Sequence, residues 1–237
     1  MSADFRTTSW SLVLTAQDGN TGRSREALGA LCEIYWPPLY AFVRRRGHDR
    51  DQASDLTQAF FLHLLENQSL DNLQPEAGRF RSFLLASMKN LLADEHARDA
   101  ALKRGAGRRP IRLDLDTEER AARFEPVDDL TPELIYEKRW ALTVLHRVLA
   151  NLREEYTREG NVERFERLKP FITGEQPAPP YRQIAGEMEL TEDAVKMAVH
   201  RLRKRYGKTL RAEIAETVAG PEEVDDEIRH LLSVLRS

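Results

Sequence analysis

The chain has 237 residues, of which 41% are hydrophobic and 32% charged, and its formal net charge at pH 7 is −3. It has no apolar run long enough to cross a membrane, and its N-terminal apolar patch is too short and too polar for a secretory signal. The single Cys32 allows neither an internal disulfide nor a cysteine-based zinc site. We therefore expect a cytoplasmic protein with a hydrophobic core and one or two domains.

Apolar residues recur at helical spacing along the chain and no segment alternates as a strand does, so the sequence predicts an all-α protein. The first predicted helix runs from about Ser24 to Arg46, with a break or kink at Pro37 and Pro38. A helix over roughly Asp51 to Glu66, a loop and a long helix from Phe80 follow. Together these elements predict a helical domain over residues 1–104.

The predicted helix around "ASDLTQAFF", residues 53 to 61, carries apolar residues on two sides. Ala53, Leu56, Phe60 and Leu64 form an ordinary core stripe. The other side mixes carboxylate, amide and bulky apolar groups: Asp51, Asp55, Gln58, Phe61, Leu62 and Leu65. This mixture is typical of a docking surface for a protein partner, although another helix of the same bundle would also cover it.

The long helix that starts at Phe80 places aromatic rings beside cations and an amide. Such side chains can stack on unpaired bases and bind their edges, as in single-strand binders, although phenylalanines at this spacing are also common in cores. The candidate residues are Arg79, Phe80, Arg81, Phe83, Lys89 and Asn90.

Residues 105–131 have the composition of a linker, rich in glycine, proline and mixed charge. A second helical domain is predicted over residues 132–212, with Thr131 as the N-cap of its first helix and Pro132 at the first helical position. An acidic extension over residues 213–237 ends the chain with a predicted amphipathic helix of Val224, Ile228, Leu231, Leu232 and Leu235. This helix is expected to cap the second domain, or else to cover its basic helix or recruit a partner.

Two helices joined by a tight turn within residues 180 to 211 predict a helix-turn-helix, with Thr191 as the N-cap of its second helix. One face of that second helix gathers Val195, Ala198, Val199 and Leu202, and the other face is basic. Because no acidic residue lies between Lys196 and Arg211, a DNA-reading face is favoured over an ordinary solvated one. Its candidate residues are Lys196, Met197, His200, Arg201, Arg203, Lys204 and Lys208.

The stretches "DQASDLTQAFFLHLL", "GRFRSFLLASMKNLL" and "YRQIAGEMELTEDAVKMAVHRLRKRY" together resemble regions 2 and 4 of the sigma-70 family, in its small extracytoplasmic-function form. The resemblance implies a sigma factor that binds core RNA polymerase and promoter DNA. The helix from Asp51 to Glu66 would dock on the polymerase, and the loop from Asn67 to Arg79, together with the helix from Phe80 to Asn90, would capture a base of the melted −10 element. The helix after Thr191 would read the −35 element.

The sequence also departs from the family pattern. Many relatives carry an arginine where this chain has Ala198, so promoter specificity does not carry over. In the docking helix Ser54 and Thr57 stand where relatives commonly have glutamate and valine. A phosphate adds about −1.5 to −2 charge, so phosphorylation of Thr57, expected at the helix edge, or of Ser54 would restore the missing charge. A Ser/Thr kinase is therefore a candidate partner, and the family resemblance adds an anti-sigma factor as another.

Two other classes of function fit the sequence less well. No nucleophile motif or phosphate-cradling loop is present, and the lone Glu227 and His230 pair does not make a di-metal site, so neither an enzyme nor a metal or other cofactor is expected. The alternative is a conventional helix-turn-helix regulator with an N-terminal sensing domain, which would need neither the docking face nor the base-capturing residues.

Overall fold

The computed structural model describes Val13, Thr15, Ala16 and residues 22–66, 78–102, 130–174 and 179–237. Regular secondary structure in these ranges is helical throughout, which confirms the predicted all-α class. The helices are α1 (Gly22–Arg45), α2 (Arg50–Glu66), α3 (Phe80–Leu102), α4 (Pro132–Arg158), α5 (Val162–Leu168), α6 (Pro170–Thr173), α7 (Tyr181–Glu187), α8 (Glu192–Ala215) and α9 (Val224–Arg236). Among these residues no helix is long and apolar enough to span a bilayer.

The chain forms two compact units. The first unit comprises Met1–Thr143 and Ile214–Ser237, and the second comprises Val144–Glu213. These units do not divide at the predicted domain boundaries, because the start of α4 and the C-terminal helix α9 group with α1, α2 and α3. Of the predicted linker only residues 130–131 are described, and of the predicted loop only residues 78–79.

Helix α1 continues through Pro37 and Pro38, so of the predicted break or kink the break is absent. Each proline lacks a backbone N–H and leaves one carbonyl of the preceding turn without its helical partner. Large side chains on both sides of the prolines compensate by packing: Tyr35, Trp36, Leu39, Tyr40 and Phe42 are all buried. Tertiary burial therefore outweighs the local preference of proline to end a helix.

Three of the four residues of the predicted core stripe of α2, Ala53, Phe60 and Leu64, are buried, but the stripe centres one position further along. Thr57 is its centre, with Ala53, Phe60, Phe61 and Leu64 around it, whereas Leu56 is only half-buried. The ring of Phe61 stacks on Trp36 of α1, with ring centroids 6.0 Å apart and an interplanar angle of 13°. Part of the second apolar face of α2 is thus covered within its own bundle.

Both predicted N-caps are present. The backbone N–H of Leu134 donates to Thr131 Oγ1 over 3.2 Å at the start of α4. The backbone N–H of Ala194 donates to Thr191 Oγ1 over 3.2 Å at the start of α8. Each hydroxyl satisfies a backbone donor that has no partner inside the helix, which fixes where the helix begins.

The core of the second unit is built from one apolar face of each helix. Tyr156 of α4 and Phe165 of α5 pack with ring centroids 5.5 Å apart. Helix α8 buries the face that the sequence predicted, made of Val195, Ala198, Val199 and Leu202. The opposite face of α8 is therefore left for the cations.

Helix α9 follows a 3₁₀ turn at Pro221–Glu223. Its buried residues differ from the predicted stripe. Leu232 is 43% exposed and Ile228 half-buried, whereas Glu227 is fully buried. The buried set is Val224, Glu227, Leu231 and Val234, so a carboxylate lies in the middle of an apolar stripe.

Candidate nucleic-acid and protein interfaces

The predicted docking residues of α2 fall into two groups. Asp51 and Asp55 are exposed and Leu62 is half-buried, so these three remain available to a partner. Phe61 is 3% exposed and Gln58 is 9% exposed, which contradicts their predicted place on an open face. The reason is that the core stripe centres on Thr57, one position from where the apolar pattern placed it.

The structure also corrects the predicted position of Thr57. Its side chain is fully buried, and its hydroxyl donates to the carbonyl oxygen of Ala53 over 2.7 Å. A β-branched residue with a hydroxyl bonded back into its own helix fits such a core position without an unpaired polar group. Ser54, one turn earlier, is only half-buried.

The predicted −10 residues of α3 also separate by burial. Phe80 is 1% exposed and packs edge-on against Tyr35 of α1, with ring centroids 5.3 Å apart. Phe83 is half-buried and lies parallel to Phe80, with centroids 6.0 Å apart, and Asn90 is exposed. An aromatic ring rigidly backed by a core ring, with an exposed amide on the same helix, is a suitable surface for an unpaired base.

Arg81 is the most constrained of these residues. Only 3% of its side chain is exposed, and its guanidinium lies 4.3 Å above the ring of Trp140. Its Nε donates to Glu137 of α4 over 2.9 Å, and its Nη1 donates to Glu227 of α9. The hydroxyl of the buried Tyr136 donates to the Arg81 carbonyl oxygen over 2.8 Å. Arg81 therefore joins α3, α4 and α9 within the first unit.

Glu227 is the centre of the same cluster. Its Oε2 lies 2.9 Å from Arg79 Nε, an ion pair whose geometry does not make a hydrogen bond. Burial raises the pKa of the Glu227 carboxyl, while Arg81 and Arg79 act in the opposite direction. His230 Nε2 lies 3.1 Å from Glu137 Oε2 at the edge of this cluster. Because the carboxylates already face two guanidinium groups, this cluster is an ion-pair network.

Lys89 has a carboxylate partner as well. Its Nζ lies 2.8 Å from Glu133 in the first turn of α4. The hydrogen bond from Lys89 lowers the pKa of Glu133. Both side chains are more than a third exposed, so solvent screens this pair and its contribution to stability is small.

The predicted −35 residues of α8 lie on the exposed side of the second unit. Met197 is 54% exposed, unusual for a large apolar side chain in the middle of a cationic face. Lys196 Nζ lies 3.0 Å from Asp193 on the same helix, and Arg203 Nη2 donates to the carbonyl oxygen of Phe171 over 3.3 Å. All seven candidates are exposed: Lys196, Met197, His200, Arg201, Arg203, Lys204 and Lys208.

Arg205 is a residue that the sequence reasoning did not single out. Its guanidinium lies 4.6 Å from the ring centroid of Tyr156 and pairs with Glu155 over 2.7 Å, and with Glu159. These acidic partners raise the pKa of Arg205 above its ordinary value. The contacts fix α8 against α4 within the second unit, and no local pattern reveals them because the partners are about 50 residues apart.

The described residues define an all-helical protein whose second unit presents a cationic helix face. Residues 31–101, which span most of α1, α2 and α3, match the family model of sigma-70 region 2. This match covers less than half of the chain and supports a relationship of this part to the sigma-70 family. No curated protein and no solved structure matches the chain.

Proposed function

We propose that this chain is a sigma factor of the extracytoplasmic-function type, which binds core RNA polymerase and directs promoter-specific initiation. The observation that carries the proposal is the region 2 match over α1, α2 and α3. The exposed cationic face of α8, in a unit outside the matched residues, adds support for a second DNA contact of the region 4 kind.

In this proposal the docking surface on the polymerase is formed by Asp51, Asp55 and Leu62 of α2. Carboxylates at the rim of an interface steer a partner with basic groups, while a partly exposed leucine gains from being covered. The buried Phe61 and Gln58 act indirectly, by holding α2 against its neighbours.

The −10 element would meet the half-buried Phe83 and the exposed Asn90, on which an extruded base can stack and bond. Extruding a base costs a few kcal/mol, which these contacts must offset. The −35 element would meet α8 as the second helix of a helix-turn-helix, entering the major groove with Lys196, Met197, His200 and Arg201 toward bases. Arg203, Lys204 and Lys208 would then lie nearer the phosphates.

Phosphorylation in α2 remains part of the proposal with one structural constraint. A kinase cannot reach the Thr57 hydroxyl while it is buried against the Ala53 carbonyl. Ser54 is therefore the better position to test, by comparing core binding of Ser54→Glu with that of Ser54→Ala. Equal binding of these two variants would remove a phosphorylation switch at this position.

The decisive experiment adds the purified chain to core RNA polymerase and measures both binding and specific initiation on a library of genomic promoter fragments. We expect a stable complex that starts transcription at a restricted set of sites. Asp55→Lys should weaken core binding, whereas Asp94→Lys, which makes the same charge change at an exposed position of α3, should not. Failure to bind core would leave the alternative of a conventional DNA-binding regulator.

A further inference from the structure

The cations that the sequence assigned to the −10 element are all paired with carboxylates of the first unit. Arg79 pairs with Glu227 over 2.9 Å, and Arg81 pairs with both Glu227 and Glu137. Lys89 pairs with Glu133 over 2.8 Å. These carboxylates come from α4 and α9, outside the residues that match region 2. These carboxylates therefore pair with the guanidinium and ammonium groups that would otherwise bind nucleic-acid phosphates.

Glu227 differs from the other carboxylates in being fully buried and in lying on the terminal helix. It shares one face of α9 with only three buried apolar residues, Val224, Leu231 and Val234. Its neighbours in the first turn, Asp225 and Asp226, are also acidic. The end of α9 that meets the arginines is therefore the acidic end.

The ion pairs of Glu227 with Arg79 and Arg81 add so little net stability that α9 can be released. Burying a charge pair costs desolvation energy that its attraction repays only in part, so such a pair adds little net stability. A phosphate can replace a carboxylate as the partner of a guanidinium with similar or better bidentate geometry. Exchanging Glu227 for a phosphodiester is thus a nearly balanced step, and the burial of Val224, Leu231 and Val234 is what opposes the release of α9.

We propose that α9 is an intramolecular inhibitor of nucleic-acid binding by the first unit, with the Glu227 carboxylate held at Arg79 and Arg81 in place of a phosphate of single-stranded DNA. Release of α9 frees Arg79 and the Nη1 side of Arg81, while Arg81 Nε stays with Glu137. The inference rests on the proposed function, because it concerns the same −10 surface. Helix α9 belongs to the first unit, whereas the basic face of α8 lies in the second.

The test compares the full-length chain with two variants, Glu227→Gln and Asp226→Asn. The control makes the same charge change on the same helix, but the Asp226 carboxylate pairs with Arg229 of α9 itself. Binding of a short, fluorescently labelled single-stranded DNA of mixed sequence is measured by anisotropy over a range of NaCl concentrations. In Glu227→Gln two further phosphate contacts should become available. A plot of the logarithm of the binding constant against that of the salt concentration should then be steeper by roughly 1.4. Asp226→Asn should match the wild type.

Equal affinities and equal slopes for Glu227→Gln and Asp226→Asn would overturn the inference, as would the absence of binding by all three proteins. If Glu227→Gln does not fold, as judged by circular dichroism, hydrogen exchange on the wild-type chain decides instead. Saturating single-stranded DNA should then speed exchange of the α9 amides, and unchanged protection would refute release.

Core polymerase binding is measured in the same preparations. Its loss in every protein refutes the proposed function, whereas intact core binding with equal DNA affinities refutes only the inhibitory role of α9.

Discussion

The buried pair of Arg81 and Glu227 gives the sharpest prediction about stability. In Arg81→Met the Glu227 carboxylate stays fully buried with only the partly exposed Arg79 as its cation. Removing one partner of a buried ion pair costs about 3–5 kcal/mol, and because Arg79 still compensates in part, we expect about 3 kcal/mol. The loss of the guanidinium from the face of Trp140 adds about 0.5–2 kcal/mol.

The double variant Arg81→Met with Glu227→Leu should recover most of this loss, because replacing both charges by apolar groups leaves neither partner buried alone. Urea unfolding followed by circular dichroism measures all four proteins of the cycle. The two single losses should exceed the loss of the double variant by at least about 2 kcal/mol. Strictly additive losses would show that the two side chains do not interact in solution, and the reasoning about α9 would lose its basis.

Four further outcomes are expected. Thr131→Ala should lower the free energy of unfolding by about 0.5–2 kcal/mol in the same urea assay, because it removes the N-cap of α4. Cys32 should react slowly with a thiol reagent at pH 8 until the chain is unfolded: burial raises the pKa of its thiol to about 12, which leaves a thiolate fraction on the order of 10⁻⁴. Lys204→Ala should reduce the log–log salt slope of duplex promoter binding by about 0.9, one phosphate contact, without changing which sequences bind. Phe80→Ala should cost about 3–5 kcal/mol of stability, whereas Asn90→Ala should leave stability unchanged and weaken open-complex formation on promoter DNA.

The sequence predicted what depends on local pattern. The N-caps at Thr131 and Thr191 and the two faces of α8 were found because a cap needs one hydroxyl at a helix start and an amphipathic face repeats every turn. The exposed positions of the seven −35 candidates follow from the same repeat.

The position of α9 could not be predicted in this way. The sequence left three roles open for it, a cap on the second domain, a cover for the basic helix or a site for a partner, and the contact that forms joins Glu227 to Arg81, 146 residues earlier. An ion pair between residues far apart in the sequence produces no pattern in local spacing. From the sequence alone a glutamate within an apolar stripe is predicted to face solvent, although Glu227 is buried. Only the tertiary structure distinguishes these two environments.

The one-position error in α2 has a related cause. Helical periodicity is satisfied by the predicted stripe of Ala53, Leu56, Phe60 and Leu64. It is satisfied equally by the observed stripe centred on Thr57. The choice between them depends on whether a threonine can be buried without cost. It can, because the Ala53 carbonyl oxygen accepts a hydrogen bond from the Thr57 hydroxyl within the same helix.

Burial in α3 limits which residues of this chain can take the roles that the family resemblance implies. The resemblance assigned Phe80, Arg81, Phe83 and Asn90 to one function, but the first two are buried among α1, α4 and α9, and the last two reach the surface. A base can stack only on a ring that solvent also reaches, so Phe83 and Asn90 are the candidates for contact with a base. In the proposed function Phe80 and Arg81 would position them, because a helix that reads a base must be held firmly from behind. Loss of activity on substituting Arg81 would therefore report on the packing of α3 against α9 and α4, and would not by itself identify a contact with the promoter.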